Sequence, residues 1–273
     1  MKRTLAVLLC ILLISGCQKA ESTNESGNPG QGLVINPAGF SPAPEGSIQS
    51  LFIPPGGDAD AILASHPAKS AINILKLDKT QLTDSGLAIL PSYTAATQIL
   101  MSETQTGDKA AQIIASCPKI VRVRMASTPI SDTGVAELAK LPELKDLDIS
   151  STSVTAQGIA ALKSAKKLKK LNLYTTKTDD SALDSIASMT QLTWLNLDNT
   201  AISDAGVGKL KTLENLEFLH VGRTKLTDAS IPVLESLKKL KTLHISRTAI
   251  SAPGAEKLKA ALPGCEIVYL IEE

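Results

Sequence analysis

The side chains best suited to grip a partner are scarce in this sequence: one Trp, three Phe, three Tyr and three His, with aromatics at 3%. Their spacing is regular. Trp194 and Phe218 are 24 residues apart, and so are His220 and His244, and Arg223 and Arg247. Tyr174 and Asn196 fall in the same stretch. Such rings pack against apolar groups, Arg stacks on rings or pairs with carboxylates, and imidazoles donate, accept or ligate. No catalytic set accompanies them. The chain has no H-E-x-x-H, G-x-S-x-G, P-loop or C-x-x-C, so we expect no enzyme and no cofactor. His220 and His244 have Asp198 as the nearest further ligand. A metal centre needs more than that, and none is expected.

The spacing of these residues belongs to a longer pattern. A threonine recurs every 24 residues at Thr80, Thr104, Thr128, Thr152, Thr176, Thr200, Thr224 and Thr248, without insertion or deletion. Before each lies an apolar-x-apolar pair, such as Leu171 and Leu173 or Leu195 and Leu197. That alternation directs both side chains to one face of a strand. After each threonine, aliphatic residues spaced by three, such as Ile159 and Leu162, give a helix period. Thr83, Ser131, Thr155, Asp179, Ser203, Thr227 and Ser251 stand where an N-cap is needed, often followed by Asp. The column Gly86, Ala110, Gly134, Gly158, Ala182, Gly206, Ser230 and Gly254 is small throughout. Glycine weakens a helix, so close approach of the next coil is the expected reason.

The pattern resembles the leucine-rich-repeat family, in the form L-x-x-L-x-L-x-x-T-x-[IL]-[TS]-D-x-G-[LV]-x-x-L, and is most similar to the bacterial repeats related to the cysteine-containing subclass found in F-box proteins. It differs in carrying Thr where many repeats have Asn or Cys. The resemblance implies an α/β fold: a right-handed solenoid, or horseshoe, with a concave parallel β-sheet and convex short helices. The threonine hydroxyls must then bond backbone groups in the turn. No ubiquitin-ligase role is expected, because no F-box segment is present and the chain carries an export signal.

Residues 72–258 form eight repeats, 48–71 a degenerate capping repeat, and 259–273 a capping strand. Ile48, Leu51 and Ile53 fall on the strand columns one period before the first full repeat, followed by Pro54-Pro55-Gly56-Gly57. Ile267 and Tyr269 do so after the last. Cys117 and Cys265 are six repeats apart, roughly 29 Å by strand spacing, too far for a disulfide.

Met1-Lys2-Arg3 followed by the apolar run Leu5 to Ile14 has the parts of an export signal. The run is too short to span a bilayer. Ile14-Ser15-Gly16-Cys17 resembles the lipobox of bacterial lipoproteins. The resemblance implies cleavage after Gly16, giving residues 1–16 as signal peptide and Cys17 as the lipidation site. Residues 17–47, rich in Ser, Asn, Gly and Pro, read as a disordered tether. With Gln18 next to the lipid cysteine, the same resemblance favours the outer membrane in a Gram-negative host. Without Lys2 and Arg3 the chain has 26 basic and 27 acidic residues, a balance that gives no reason to expect nucleic acid as a partner.

The concave face therefore carries the expected binding surface, Tyr174, Trp194, Asn196, Phe218, His220, Arg223, His244 and Arg247; the alternative is that its rings only stabilise the sheet as cross-strand pairs. The expected role is capture of a protein or peptide by an exported, lipid-anchored solenoid. The alternative is a structural role in the cell envelope, binding cell-wall polymer or neighbouring copies. The Lys166-Lys167-Lys169-Lys170 and Lys238-Lys239-Lys241 clusters read as a solvated rim, with contact to anionic lipid or polymer as the alternative.

Overall fold

The computed structural model describes residues 48–270 and the backbone of Gly32–Leu33. One parallel sheet runs through the molecule in chain order. Its strands are β1 (Gly32–Leu33), β2 (Ser50–Phe52), β3 (Ile74–Lys76), β4 (Gln98–Leu100), β5 (Arg122–Arg124) and β6 (Asp146–Asp148). They continue as β7 (Lys170–Asn172), β8 (Trp194–Asn196), β9 (Phe218–His220), β10 (Thr242–His244) and β11 (Glu266–Val268). From β2 onward each residue pairs with the one 24 positions later, as Leu171 with Leu195 and Leu195 with Leu219. Short α- and 3-10 helices return the chain between strands. The α/β solenoid expected from the repeat is the observed fold.

The core follows from the period. Both strand columns, Leu75 to Leu243 and Leu77 to Ile245, are fully buried. The helix columns meet them, with Leu87, Val135, Ile159, Leu90, Ile114 and Leu162 among those at most 1% exposed. One coil could not bury these faces alone, so the stacking of coils creates the core.

Three further columns fix the turns. All eight threonines of the repeat donate their hydroxyl to the carbonyl three residues back, at 2.6–2.8 Å. The residue before each is left-handed without being glycine, from Lys79 at φ 61° to Arg247 at φ 59°. That conformation costs about 1–2 kcal/mol per residue. It persists because its N–H bonds a carbonyl of the next coil, as from Ser151 to Tyr174 at 2.7 Å.

The third column is a carboxylate clamp. The hydroxyl caps do accept helix N–H groups, as Ser131 does from Thr133 and Ser203 from Ala205. The Asp that follows does more than favour its own helix start. Asp60, Asp84, Asp108, Asp132, Asp180, Asp204 and Asp228 each reach into the next coil and accept a backbone N–H at 2.7–3.0 Å. All but Asp84 also accept the hydroxyl of the next coil's cap residue. At Asp228 the N–H and hydroxyl of Ser251 hold the carboxyl below its ordinary range. The clamp explains the small column. A Cβ on Gly134, Gly158, Gly206 or Gly254 would lie 2.4–2.5 Å from the carboxylate oxygen of the preceding coil's Asp. Close approach is thus the cause, and the approaching group belongs to the preceding coil rather than the next. Ala110 and Ser230 do accommodate a Cβ there. One rung is missing: position 156 is Ala, and Asp179 in the following coil caps its own turn through Ser181.

The ends depart from the repeat. Leu51 and Ile53 are fully buried as their columns require, but Ile48 is 59% exposed and lies outside the core. The capping repeat is fuller than a degenerate strand, because Ala59–Ser65 forms a helix with Leu63 fully buried. Gly32–Leu33, within the segment read as a tether, pairs with Ser50–Leu51 and extends the sheet. Ile267 and Tyr269 pack partly buried against the other end. Cys117 and Cys265 are free thiols. The signal peptide, Cys17 and most of the tether lie outside the described residues, and no described helix is long and apolar enough to cross a membrane.

Gly158→Leu should therefore lower stability by about 1–3 kcal/mol, as overpacking does. Adding Asp132→Ala should make the two effects non-additive, because they act on one contact. Gly208→Ala, whose Cβ meets nothing within 4 Å, should be neutral or slightly stabilising. Chemical denaturation of the four variants measures all three outcomes.

Candidate functional site

Neighbouring parallel strands lie about 4.8 Å apart, so side chains in one column of the open face are held at nearly the separation of stacked rings. Trp194 on β8 and Phe218 on β9 occupy paired positions. Their rings stack with centroids 4.7 Å apart and planes 6° from parallel. His220 and His244, paired across β9 and β10, stack at 4.5 Å and 8°. Phe218 joins the two pairs by lying 5.4 Å from His244, tilted by 50°. Ring stacking of this kind adds about 0.5–1.5 kcal/mol per aromatic pair beyond area burial.

At the C-terminal side of this row, Arg223 gives Asp198 two hydrogen bonds, one of them from Nε at 2.9 Å. Its guanidinium also lies 5.1 Å over the Tyr174 ring. The sequence offers Asp198 as the nearest further ligand to the two histidines. It is instead only 5% exposed, a buried carboxylate that anchors Arg223 and lies 3.7 Å from His220 Nδ1. The residue that sequence reasoning missed is Gly222. A Cβ there would lie 2.9 Å from the His220 ring, 2.9 Å from the Ser246 carbonyl and 3.2 Å from Asp198 Oδ1. Its lack of a side chain is what lets Asp198 turn inward beside His220. The signal was available, since Gly222 stands one period after Asp198 in a column with Tyr174 and Ser246.

Tyr174, Trp194, Phe218, His220, Arg223 and His244 are thus brought into one connected surface. Asn196 lies within it but is committed locally, its Oδ1 accepting the Asp198 N–H at 2.9 Å. Arg247 extends the Arg223 column by one coil. Elsewhere on the face Arg122 pairs with Asp146 at 3.2 Å and Arg124 with Asp148 at 4.0 Å. Of the lysine clusters, Lys167, Lys239 and Lys241 bond Glu143, Asn215 and Glu217.

The electrostatics keep the two imidazoles neutral. Burial is the main influence lowering the pKa of His220; Asp198 opposes it, while His244 and Arg223 add to it. Burial also lowers His244, against Asp198 and Glu266. The Gly222 N–H reaches His220 Nδ1 at 3.3 Å, which places the neutral ring's proton on Nε2. Imidazole lone pairs lie in the ring plane, so parallel rings aim them side by side rather than at one point. Among the described residues, no group of three or more His, Cys, Asp or Glu is placed to hold a metal ion.

These shifts have a sign that can be checked. A histidine whose folded pKa is below its unfolded value of 6.5 binds fewer protons in the folded state. Stability is therefore retained at neutral pH and falls as pH drops below 6.5 toward the folded values. Buried His66 acts in the same direction. Thermal unfolding of a His220→Gln/His244→Gln variant should show a shallower acid-side decline than the parent protein.

The sequence from 236 to 259 matches a model of the family described as leucine-rich repeat. No curated protein matches the chain. Among solved structures, internalin C2 of Listeria monocytogenes superposes with a TM-score of 0.60 at 22% identity, covering 74% of this chain and 82% of that one. A second Listeria monocytogenes internalin gives 0.59 at 18% identity, covering 83% and 75%. A leucine-rich-repeat protein of Leptospira interrogans gives 0.51 at 17% identity, covering 72% and 55%. The unbroken 24-residue period, the leucine-rich-repeat match inside it and this shared architecture together show that the chain has the leucine-rich-repeat solenoid fold.

Proposed function

We propose that this protein is a non-catalytic, lipid-anchored binding module of the bacterial cell envelope, and that it captures a protein or peptide partner on its concave face. The observation that carries this reading is the continuous row from Trp194 through Phe218, His244 and His220 to the Arg223–Tyr174 contact. In a chain with 3% aromatics, the only Trp stands stacked on an open sheet rather than in the core. Large rings and Arg supply most of the energy at protein interfaces once desolvated. Here they are already held by neighbours, so binding loses little side-chain entropy.

The anchoring part of the proposal rests on Ile14-Ser15-Gly16-Cys17 and the preceding basic and apolar residues. Acyl chains on Cys17 would supply the several anchoring signals that stable membrane attachment needs. The segment from Gln18 to the Gly32–Leu33 strand would then set the distance between the membrane and the sheet.

Two experiments test the two parts separately. Cells expressing Cys17→Ala and fed a labelled fatty acid should yield an unlabelled protein; label on that variant would sink the anchoring reading. For the face, Trp194→Ala and Phe218→Ala should each weaken partner binding by about 2 kcal/mol or more, with the fold retained. Lys76→Ala, on the same face but on β3, should change little. Pull-down from detergent-solubilised envelope, followed by titration of the captured protein, reads these outcomes. Undiminished capture by the double variant would move the site elsewhere.

A further inference from the structure

The geometry points to an acidic, extended peptide segment as the partner of this face, its carboxylates lying along the ring edges between Trp194 and Arg223; the inference rests on reading the face as protein-binding. Three features select this chemistry.

The first is which part of each ring remains available. Trp194 and Phe218 turn faces toward each other, as do His220 and His244, and Phe218 turns its other side toward the tilted ring of His244. Side chains on a sheet stand roughly perpendicular to it, so an approaching ligand meets edges. Ring edges carry the positive end of the aromatic quadrupole and favour oxygen acceptors. A sugar ring stacks on an open face, and the row leaves only the Lys170 side of the Trp194 indole for that purpose.

The second feature is a surplus of donors. Trp194 Nε1–H makes no hydrogen bond among the described residues, and an indole can only donate. His220 Nε2–H is likewise left for a ligand once Nδ1 has accepted from Gly222.

The third is charge. Around β7 to β10, Arg247 apart because it has contacts of its own, the basic residues are Lys169, Lys170, Lys241 and Arg223, and the acidic ones are Asp198 and Glu217. Both acids are already taken, Asp198 by Arg223 and Glu217 by Lys241 at 2.7 Å. Lys169 and Lys170 form no ion pair among the described residues, although Lys170 stands opposite Asp146 on β6 and acts on its carboxyl. The neighbouring half of the face differs, since Arg122 and Arg124 are matched by Asp146 and Asp148. Glu266 on β11 closes the basic region at its far end. A carboxylate-bearing segment thus meets donors and cations between β7 and β10 and a balanced surface beyond.

Fluorescence anisotropy with the full chain in detergent tests the inference. The probes are a labelled peptide of alternating glutamate and leucine and its glutamine counterpart, with a soluble chitin oligosaccharide as competitor. The glutamate peptide should bind about tenfold more tightly at low salt, and the gap should narrow as salt is added. Trp194→Phe and His220→Phe each keep an aromatic ring in the row but delete its N–H donor. Each should weaken the glutamate peptide about fivefold, the effect of one hydrogen bond, without lowering the melting temperature. Equal affinity for the two peptides, binding unmoved by both substitutions, no peptide binding at all, or efficient displacement by the oligosaccharide would each overturn the inference. If pull-down still depends on Trp194 and Phe218 in that case, the face binds protein of another chemistry and only the acidic assignment fails.

Discussion

The concave surface depends on the backbone ladder that holds each residue opposite the one 24 positions later. Parallel pairing without a slip turns a column of the sequence into a row in space. Strand spacing then does the rest, because about 4.8 Å between neighbours is close to the distance at which flat rings stack. The 4.7 Å Trp194–Phe218 and 4.5 Å His220–His244 contacts follow from that coincidence. A one-residue slip would send Leu195 outward and Trp194 into the core. The columns beneath the sheet guard against this. The threonine hydroxyls close each turn, and the aspartate clamps tie every helix start but the one after Ala156 to the coil before it. Neither group touches the site, yet both set the register in which the site exists.

The same regularity decided how much could be read from residues alone. The fold was legible because a fixed period leaves one way to bury two strand columns and two helix columns together. The row Trp194, Phe218, His220 and His244 was legible for the same reason, since alternation on a strand assigns each residue a face. Legibility ended where the strand ended. Asp198 lies beyond β8, where alternation no longer says whether a side chain turns in or out, and it depends on space left by Gly222 in the next coil. The clamp was half legible. Asp at a helix start has a local explanation, and that explanation concealed the bond to the following coil. Ile48 failed for a simpler reason: it matches a column, but among the described residues nothing covers it and it stays 59% exposed.

Left-handed residues before each threonine show how the solenoid tolerates a local penalty. Thr175 is β-branched and still sits at φ 53°, a conformation such residues rarely adopt. Its N–H bonds the Asp198 carbonyl at 3.0 Å, and its hydroxyl accepts from Asn199 in the next coil at 2.9 Å. Contacts between coils therefore sustain what the isolated turn would reject. This holds for Arg223 as well, whose φ of 50° is part of how its guanidinium reaches both Asp198 and Tyr174. Turn geometry and the concave face share one constraint.

The missing clamp at Ala156 has a mechanical meaning. In a linear array, cohesion is a chain of nearest-neighbour couplings, and the weakest link sets where the array parts first. Between the coils that carry β6 and β7 the sheet is continuous, and the Lys177 N–H still reaches the Val154 carbonyl at 3.1 Å. The carboxylate tie is absent there. On the far side the coils gain small extra bridges, Asp179 to Ala201, Ser203 to Lys225 and Thr227 to Ala249. The array is therefore jointed, with a more strongly coupled C-terminal block that holds every ring of the row. Tension or thermal agitation arriving through the N-terminal coils would be taken up at the joint. The face beyond it would keep its shape while the rest of the solenoid flexed.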